Sequence, residues 1–337
     1  MGKTTLACNV ASCLALEHKL NVLLVDADPQ CNATQLVLPE ELTEQIYHTG
    51  GSGVDSLNEV LKPLLAGDAS PNVGFTPAAA DTNRFGVSVL PGHPQIALLE
   101  DQLSQGWTNL IGGNLGGARV SNWNTHLLCN IQPKYDLIVY DVGPSLGALN
   151  RSVLLGVDFF VAPMGCDIFS LIGIANIAEW LTRWHQQYET GLAQCEQNHG
   201  KELWQYAIKK SASEMSRFVG YTVQQYITKT IRNKKRPTSA YEQILEEIPA
   251  NIQEHLTGMV GGSLRQENLR LGDVPHMYSL VPLAQSARAP IHQLVSGDGL
   301  NGGQFSQQDD YKEFITALST SLLRNLKTAR GTAAVTQ

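Results

Sequence analysis

Apolar residues are patterned in alternating periods along this chain. Leu6, Val10, Leu14 and Ala15 recur at helical spacing and predict a helix over residues 5–16. The continuous run Asn21-Val22-Leu23-Leu24-Val25 is too short for a helix and predicts a strand buried on both faces, ending in Asp26-Ala27-Asp28-Pro29-Gln30. Similar runs predict strands at 87–90, 135–142 and 157–163, with alternation suggesting another at 218–227 and a last strand at 277–282. Helical spacing returns at 54–65, 96–103 and 169–188, where Leu171, Ile174, Ile177, Leu181, Trp184 and Tyr188 form a core stripe. A closing helix over 311–326 carries Phe314, Ile315, Leu318, Leu322 and Leu326 on one side. The remainder of 36–81 reads as loops, and 106–121, with Gly112-Gly113 and Gly116-Gly117, as a glycine-rich surface loop. Short strands alternating with helices predict an α/β fold with a mostly parallel central sheet flanked by helices.

Composition narrows the partners more than the fold. The 337 residues are 43% hydrophobic and 16% charged, enough to bury a large core. A net charge of −7 opposes a general nucleic-acid coat, so any nucleic-acid contact must be regional. Cys8, Cys13, Cys31, Cys129, Cys166 and Cys195 are scattered without a C-x-x-C pair, which suits reduced thiols and suggests no zinc or iron–sulfur site. No apolar run approaches the roughly 18 residues of a membrane span, so the expected location is the cytoplasm.

Candidate chemistry clusters at the ends of the predicted strands. Gly2-Lys3-Thr4-Thr5 supplies a glycine for close backbone approach to phosphate, a lysine for the β- and γ-phosphates and a hydroxyl for Mg²⁺, at the start of a helix. Asp26 and Asp28 end one strand and Asp141 another, at the edge where open α/β sheets bind ligands. A strand ending in an aspartate is a Walker B arrangement. Lys229, Arg232, Lys234, Lys235 and Arg236 form a basic run on an acidic chain; it reads equally as a solvated loop or as a contact for DNA phosphates.

Taken together, Gly2-Lys3-Thr4-Thr5, Val25-Asp26-Ala27-Asp28-Pro29-Gln30-Cys31-Asn32-Ala33-Thr34 and Asp141-Val142-Gly143-Pro144-Ser145-Leu146-Gly147 closely resemble the ParA/MinD-type ATPases with a deviant Walker A motif, most of all the ParA partition branch. Phe160-Val161-Ala162-Pro163 and Leu280-Val281-Pro282-Leu283-Ala284-Gln285-Ser286-Ala287 extend the likeness. The resemblance implies a P-loop NTPase-like fold and a single domain over 1–337, with loop insertions near 36–81, 104–122 and 192–216. It also implies an ATP- and Mg²⁺-dependent ATPase. By that resemblance Gly2, Lys3, Thr4 and Thr5 bind the nucleotide, and Thr4, Asp26 and Asp141 serve the metal. Lys3 and Asp28 are catalytic, Asp28 orienting the attacking water, while Gln224 and the backbone at Pro282 lie near adenine. ATP would favour a homodimer that binds DNA non-specifically at the nucleoid of a bacterial cell, with a ParB-like or adaptor protein as partner, in plasmid or chromosome partitioning. The alternatives are a catalytically inactive ParA-fold adaptor and a MinD-like membrane-cycling ATPase, the latter needing an exposed apolar face on the closing helix. The family motif runs Lys-Gly-Gly-x-x-Gly-Lys-Thr-Thr after an apolar strand, whereas this chain opens one residue before the final glycine. The first strand and the lysine that reaches across the dimer are therefore missing, and the resemblance implies an N-terminal truncation and a poorly stable chain that binds ATP weakly.

Overall fold

The computed structural model describes residues 2–49, 52–224, 228–231, 234–237, 239–277 and 279–331. Its first half runs α1 (Lys3–Leu16), β1 (Val22–Ala27), α2 (Asn32–Val37), α3 (Glu40–Glu44), α4 (Leu57–Leu65), β2 (Ser88–Leu90), α5 (Leu99–Ile111), α6 (Leu115–Ser121), α7 (Trp123–Ile131) and β3 (Leu137–Val142). It continues with α8 (Ala148–Gly156), β4 (Phe159–Gly165), α9 (Ile168–His199), β5 (Arg217–Gln224), β6 (Thr228–Ile231), β7 (Lys234–Pro237), α10 (Ser239–Leu256), β8 (Arg270–Val274), α11 (Leu280–Ala287) and α12 (Gln304–Gly331). The strands form a parallel sheet in the order β2-β1-β3, a parallel sheet in the order β4-β5-β8 and a separate β6-β7 pair. This is an α/β, P-loop NTPase-like architecture of parallel sheets flanked by helices.

Side-chain alternation assigns each face of the first sheet to a different helical layer. Val22, Leu24, Leu137 and Val139 pack beneath α1, α11 and α12, together with Leu14, Leu280, Ile315 and Leu318. Leu23, Val25, Ile138 and Tyr140 face the opposite layer, with Leu57 and Leu61 of α4, Leu103 of α5, Trp123 of α7 and Val153 of α8. With apolar layers on both sides, β1 is buried at every position, which is why its sequence is a continuous apolar run rather than an alternating one. Val161 of β4 and Val274 of β8 pack against the same cluster as α1, so that layer also covers the second sheet. On the sheet's other side, Phe218 and Val223 of β5 meet Ile174 of α9 and Ile248 and Ile252 of α10.

Among the described residues β3 is hydrogen-bonded only to β1, and β4 only to β5. Both are apolar yet only half-buried along most of their length, unlike β1 and β5.

Several expectations need correction. Residues 106–121 are helical rather than a loop, because Gly112-Gly113 ends α5 while Gly117 lets α6 approach the α5 backbone: a Cβ there would lie 2.5 Å from Leu110 N. The last strand lies at 270–274, not at 277–282, where Pro282 instead occupies the first turn of α11. Proline suits that position because the amide it lacks has no partner inside the helix. α9 extends to His199, so the expected insertion at 192–216 starts as helix. The closing helix is packed as expected: Ile315 and Leu318 are buried, and Phe314 and Leu322 lean on the core, leaving that stripe unavailable to a membrane. Among the described residues no helix is long and apolar enough to cross one.

Candidate functional site

α1 begins at the C-terminal edge of the sheets without a side chain capping it. Gly2 takes the N-cap with φ 87° and brings no side chain to cap the first turn. A Cβ on Gly2 would meet Gln224 Oε1 at 2.9 Å, so both the left-handed backbone and the close approach demand glycine. The free amides of this turn and the helix dipole favour an anion. Lys3, Thr4 and Thr5, all half-buried, occupy that turn.

Three carboxylates gather at the same edge. Asp26 and Asp141 are register partners on β1 and β3, and both continue the alternation that faces α1. Asp28 follows two residues after Asp26. All three are buried: Asp26 at 0%, Asp28 at 6% and Asp141 at 3% exposure. The Thr4 hydroxyl and the Lys3 charge both act on the Asp141 carboxyl, favouring its ionised form. Asp28 Oδ1 accepts the Gln30 amide at 2.9 Å, fixing the turn in which Cys31 takes φ 55°. Its carboxyl lies against Gly143, where a Cβ would come within 3.3 Å of Asp28 Oδ1.

Burial dominates the electrostatics of the cluster. Desolvation pushes the Asp141 carboxyl up to about 7, with repulsion from Asp26 and Asp28 adding to the rise. Desolvation likewise pushes Asp26 up to about 6, against hydrogen bonds from Thr34. A divalent cation would relieve this repulsion, and Asp141 Oδ2 is buried without a hydrogen-bond partner. Among the described residues no set of three or more His, Cys, Asp or Glu side chains is poised to hold a metal by itself. Such a donor set fits Mg²⁺, which keeps several waters and shares its shell with substrate phosphates.

The remaining expected residues fare differently. Gln224 ends β5 beside Gly2, next to the helix start, with Nε2 buried and unpartnered. Pro282 is exposed on α11, so the expected strand backbone at that point is absent. Lys229, Lys234, Lys235 and Arg236 fall on the β6–β7 pair, with Lys229 opposite Arg236 and Thr230 opposite Lys235. Arg232 lies outside the described residues.

Sequence reasoning missed the supports around the carboxylates. Thr34 binds Asp26, and Gly92 approaches it so closely that a Cβ would lie 3.0 Å from Asp26 Cγ. Asn150 Nδ2 donates to the carbonyls of Gly143 at 2.8 Å and Ser145 at 2.6 Å, pinning the turn after Asp141. Glu100 accepts the Ala148 amide at 2.5 Å at the start of α8. The one available signal was Pro91-Gly92, closing a predicted strand at the same sheet edge.

The AAA domain family model matches residues 1–194. The virulence plasmid ParA family protein pGP5-D of Chlamydia psittaci is 30% identical over 185 residues, covering 53% of this chain and 58% of that protein. The sporulation initiation inhibitor protein Soj of Bacillus subtilis is 29% identical over 179 residues, covering 52% of this chain and 58% of that protein. The chain thus spans less than two thirds of either relative. Among solved structures, protein DIP2308 of Corynebacterium diphtheriae superposes with a TM-score of 0.73 at 30% identity, over 96% of this chain and 95% of that one. The matched motifs and the carboxylates gathered at the start of α1 agree with these likenesses: the chain belongs to the AAA domain family, as a ParA-type P-loop ATPase.

Proposed function

We propose that this chain binds ATP with Mg²⁺, hydrolyses it and uses the cycle to switch a homodimer that binds DNA non-specifically in plasmid or chromosome partitioning. The observation that carries the reading is the meeting of three buried carboxylates with Lys3 and Thr4 at an uncapped helix start. In this reading the amides and side chains of Gly2, Lys3, Thr4 and Thr5 bind the phosphates. The Thr4 hydroxyl and Asp141 hold the metal side, with Asp26 behind them. Mg²⁺ supplies charge neutralisation across the phosphate oxygens. Asp28 orients and polarises the attacking water, its carboxyl kept in place by the Gln30 amide. Gln224 acts beside the phosphate loop, since it lies against Gly2. The basic β6–β7 pair, on a chain of net charge −7, supports regional, salt-sensitive DNA contact. A ParB-like or adaptor partner and a cytoplasmic, nucleoid-associated location complete the proposal.

Phosphate release from the purified chain with ATP, with and without Mg²⁺, tests the enzyme. Asp28→Ala should retain binding of a fluorescent ATP analogue while lowering kcat by about a hundredfold or more, since it removes water positioning without touching the phosphate cradle. Equal loss of binding and turnover would refute the role of Asp28. Metal-independent background release alone would favour an inactive adaptor.

A further inference from the structure

Thr34 sits in the first turn of α2 with 0% exposure, yet its hydroxyl does not cap its own helix. Instead it donates to Asp26 Oδ2 at 2.7 Å and accepts the Gly92 amide at 2.8 Å. The Thr34 amide adds a second bond to the same Asp26 oxygen at 2.8 Å. Three segments are therefore tied at one hydroxyl: the end of β1, the start of α2 and the turn after β2. Gly92 belongs to the arrangement, because any side chain there would press on the Asp26 carboxyl. With Oδ2 held twice by Thr34, Asp26 is locked to one rotamer beside its register partner Asp141.

We infer that Thr34 is a positioning residue for the metal side of the site, fixing the Asp26 carboxylate against the turn at Gly92 so that Asp26 and Asp141 present one prearranged pair. The inference rests on the ATPase reading above. A side chain that orients an acid next to a metal shell typically influences metal affinity or activity by about 10- to 100-fold. Valine matches threonine in shape but can neither donate to Asp26 nor accept from Gly92, whereas serine retains both functions.

The test compares wild type, Thr34→Val and Thr34→Ser by three measurements. The first is kcat and KM for ATP as functions of Mg²⁺ concentration. The second is Mn²⁺ binding with a non-hydrolysable ATP analogue, followed by water-proton relaxation without turnover. The third is amide exchange of the segment containing Gly92. Thr34→Val should bind the metal-free analogue as wild type does, need about tenfold more Mn²⁺ or lose about tenfold in kcat, and exchange faster at Gly92. Thr34→Ser should restore all three. If Thr34→Val exposes the Gly92 amide while kcat and metal dependence stay at wild-type values, the positioning role is refuted. It is equally refuted if both variants lose function in parallel with thermal stability, since that marks a purely structural residue. If wild type itself neither turns over ATP nor binds Mn²⁺, it is the ATPase reading that fails, and the inference falls with it.

Discussion

Asp141 and Asp26 hold protons to a pH at which most carboxyls have long lost them, because burial strips them of water and neighbouring carboxylates repel their charge. The sign of the consequence follows from proton counting. From about pH 4 up to their folded pKa values, the folded state keeps protons that the unfolded chain has released, so these groups lose stability as pH rises through about 6 to 7. Other groups titrate in the same range: burial lowers His292 to about 4, and its contribution is lost in the opposite direction, as pH falls from 6.5. The clean measurement is therefore a difference. In the nucleotide-free chain, Asp141→Asn should melt at nearly the same temperature as wild type near about pH 4, and at a progressively higher one toward about pH 8. A difference that stays flat with pH would show that Asp141 is ordinary in the fold. At this scale the sequence was legible where residue type and strand end coincide, as for Lys3, Thr4, Asp26, Asp28 and Asp141. Thr34 and Gly92 were not, because their bond joins positions 58 apart and appears only once β1 and β2 lie side by side.

Glycine content misled at the level of elements, and α6 shows why. Gly112-Gly113 and Gly116-Gly117 resemble a flexible loop, yet the first pair ends α5 and the second opens a helix that needs small residues to lie against it. The turn between the helices is closed by Asn114, whose side chain accepts the Gly117 amide at 2.9 Å. Asn114→Ala should therefore cost about 1 kcal/mol, read from the urea midpoint at unchanged slope. Asn114→Asp or Asn114→Ser should recover most of it, and an unaltered midpoint in Asn114→Ala would mean that the cap contributes nothing. β8 escaped notice for a related reason. Arg270-Leu271-Gly272-Asp273-Val274 offers one fully buried apolar side chain, and its arginine and aspartate pair with each other at 2.7 Å. Propensity gives such a segment little strand character, and its position is set by pairing with β5. The long apolar strands and α1 needed no such help, since their period alone marks them.

Across the whole molecule the decisive feature is that β3 and β4 each keep one strand edge without a ladder partner among the described residues. Local pattern identified both strands, but no local pattern reports which strand lies next to which, so two three-stranded sheets could not be told in advance from one continuous sheet. Leu137, Ile138, Val139, Phe160 and Val161 are only half-buried, and each strand keeps an edge without a ladder partner among the described residues. The α1 layer spans both sheets, and Gly2 lies by Gln224 of β5 while Thr4 acts on Asp141 of β3. Both sheets thus reach the start of α1. A parallel strand ending at Gly2 would find unpaired edges on β3 and β4 as candidate partners. Four or five large apolar side chains buried at about 1.5 to 3 kcal/mol each amount to about 10 kcal/mol, comparable with the net stability of a domain. Joining about six β-branched apolar residues to Gly2 should therefore raise the melting temperature and sharpen the transition. A Gly-Ser extension of the same length should do neither, because it pairs weakly and buries nothing. Protection of amides in β3 and β4 from hydrogen exchange should rise only with the apolar extension. Equal melting temperatures for the two extensions, with equal exchange in β3 and β4, would show that these edges accept no strand.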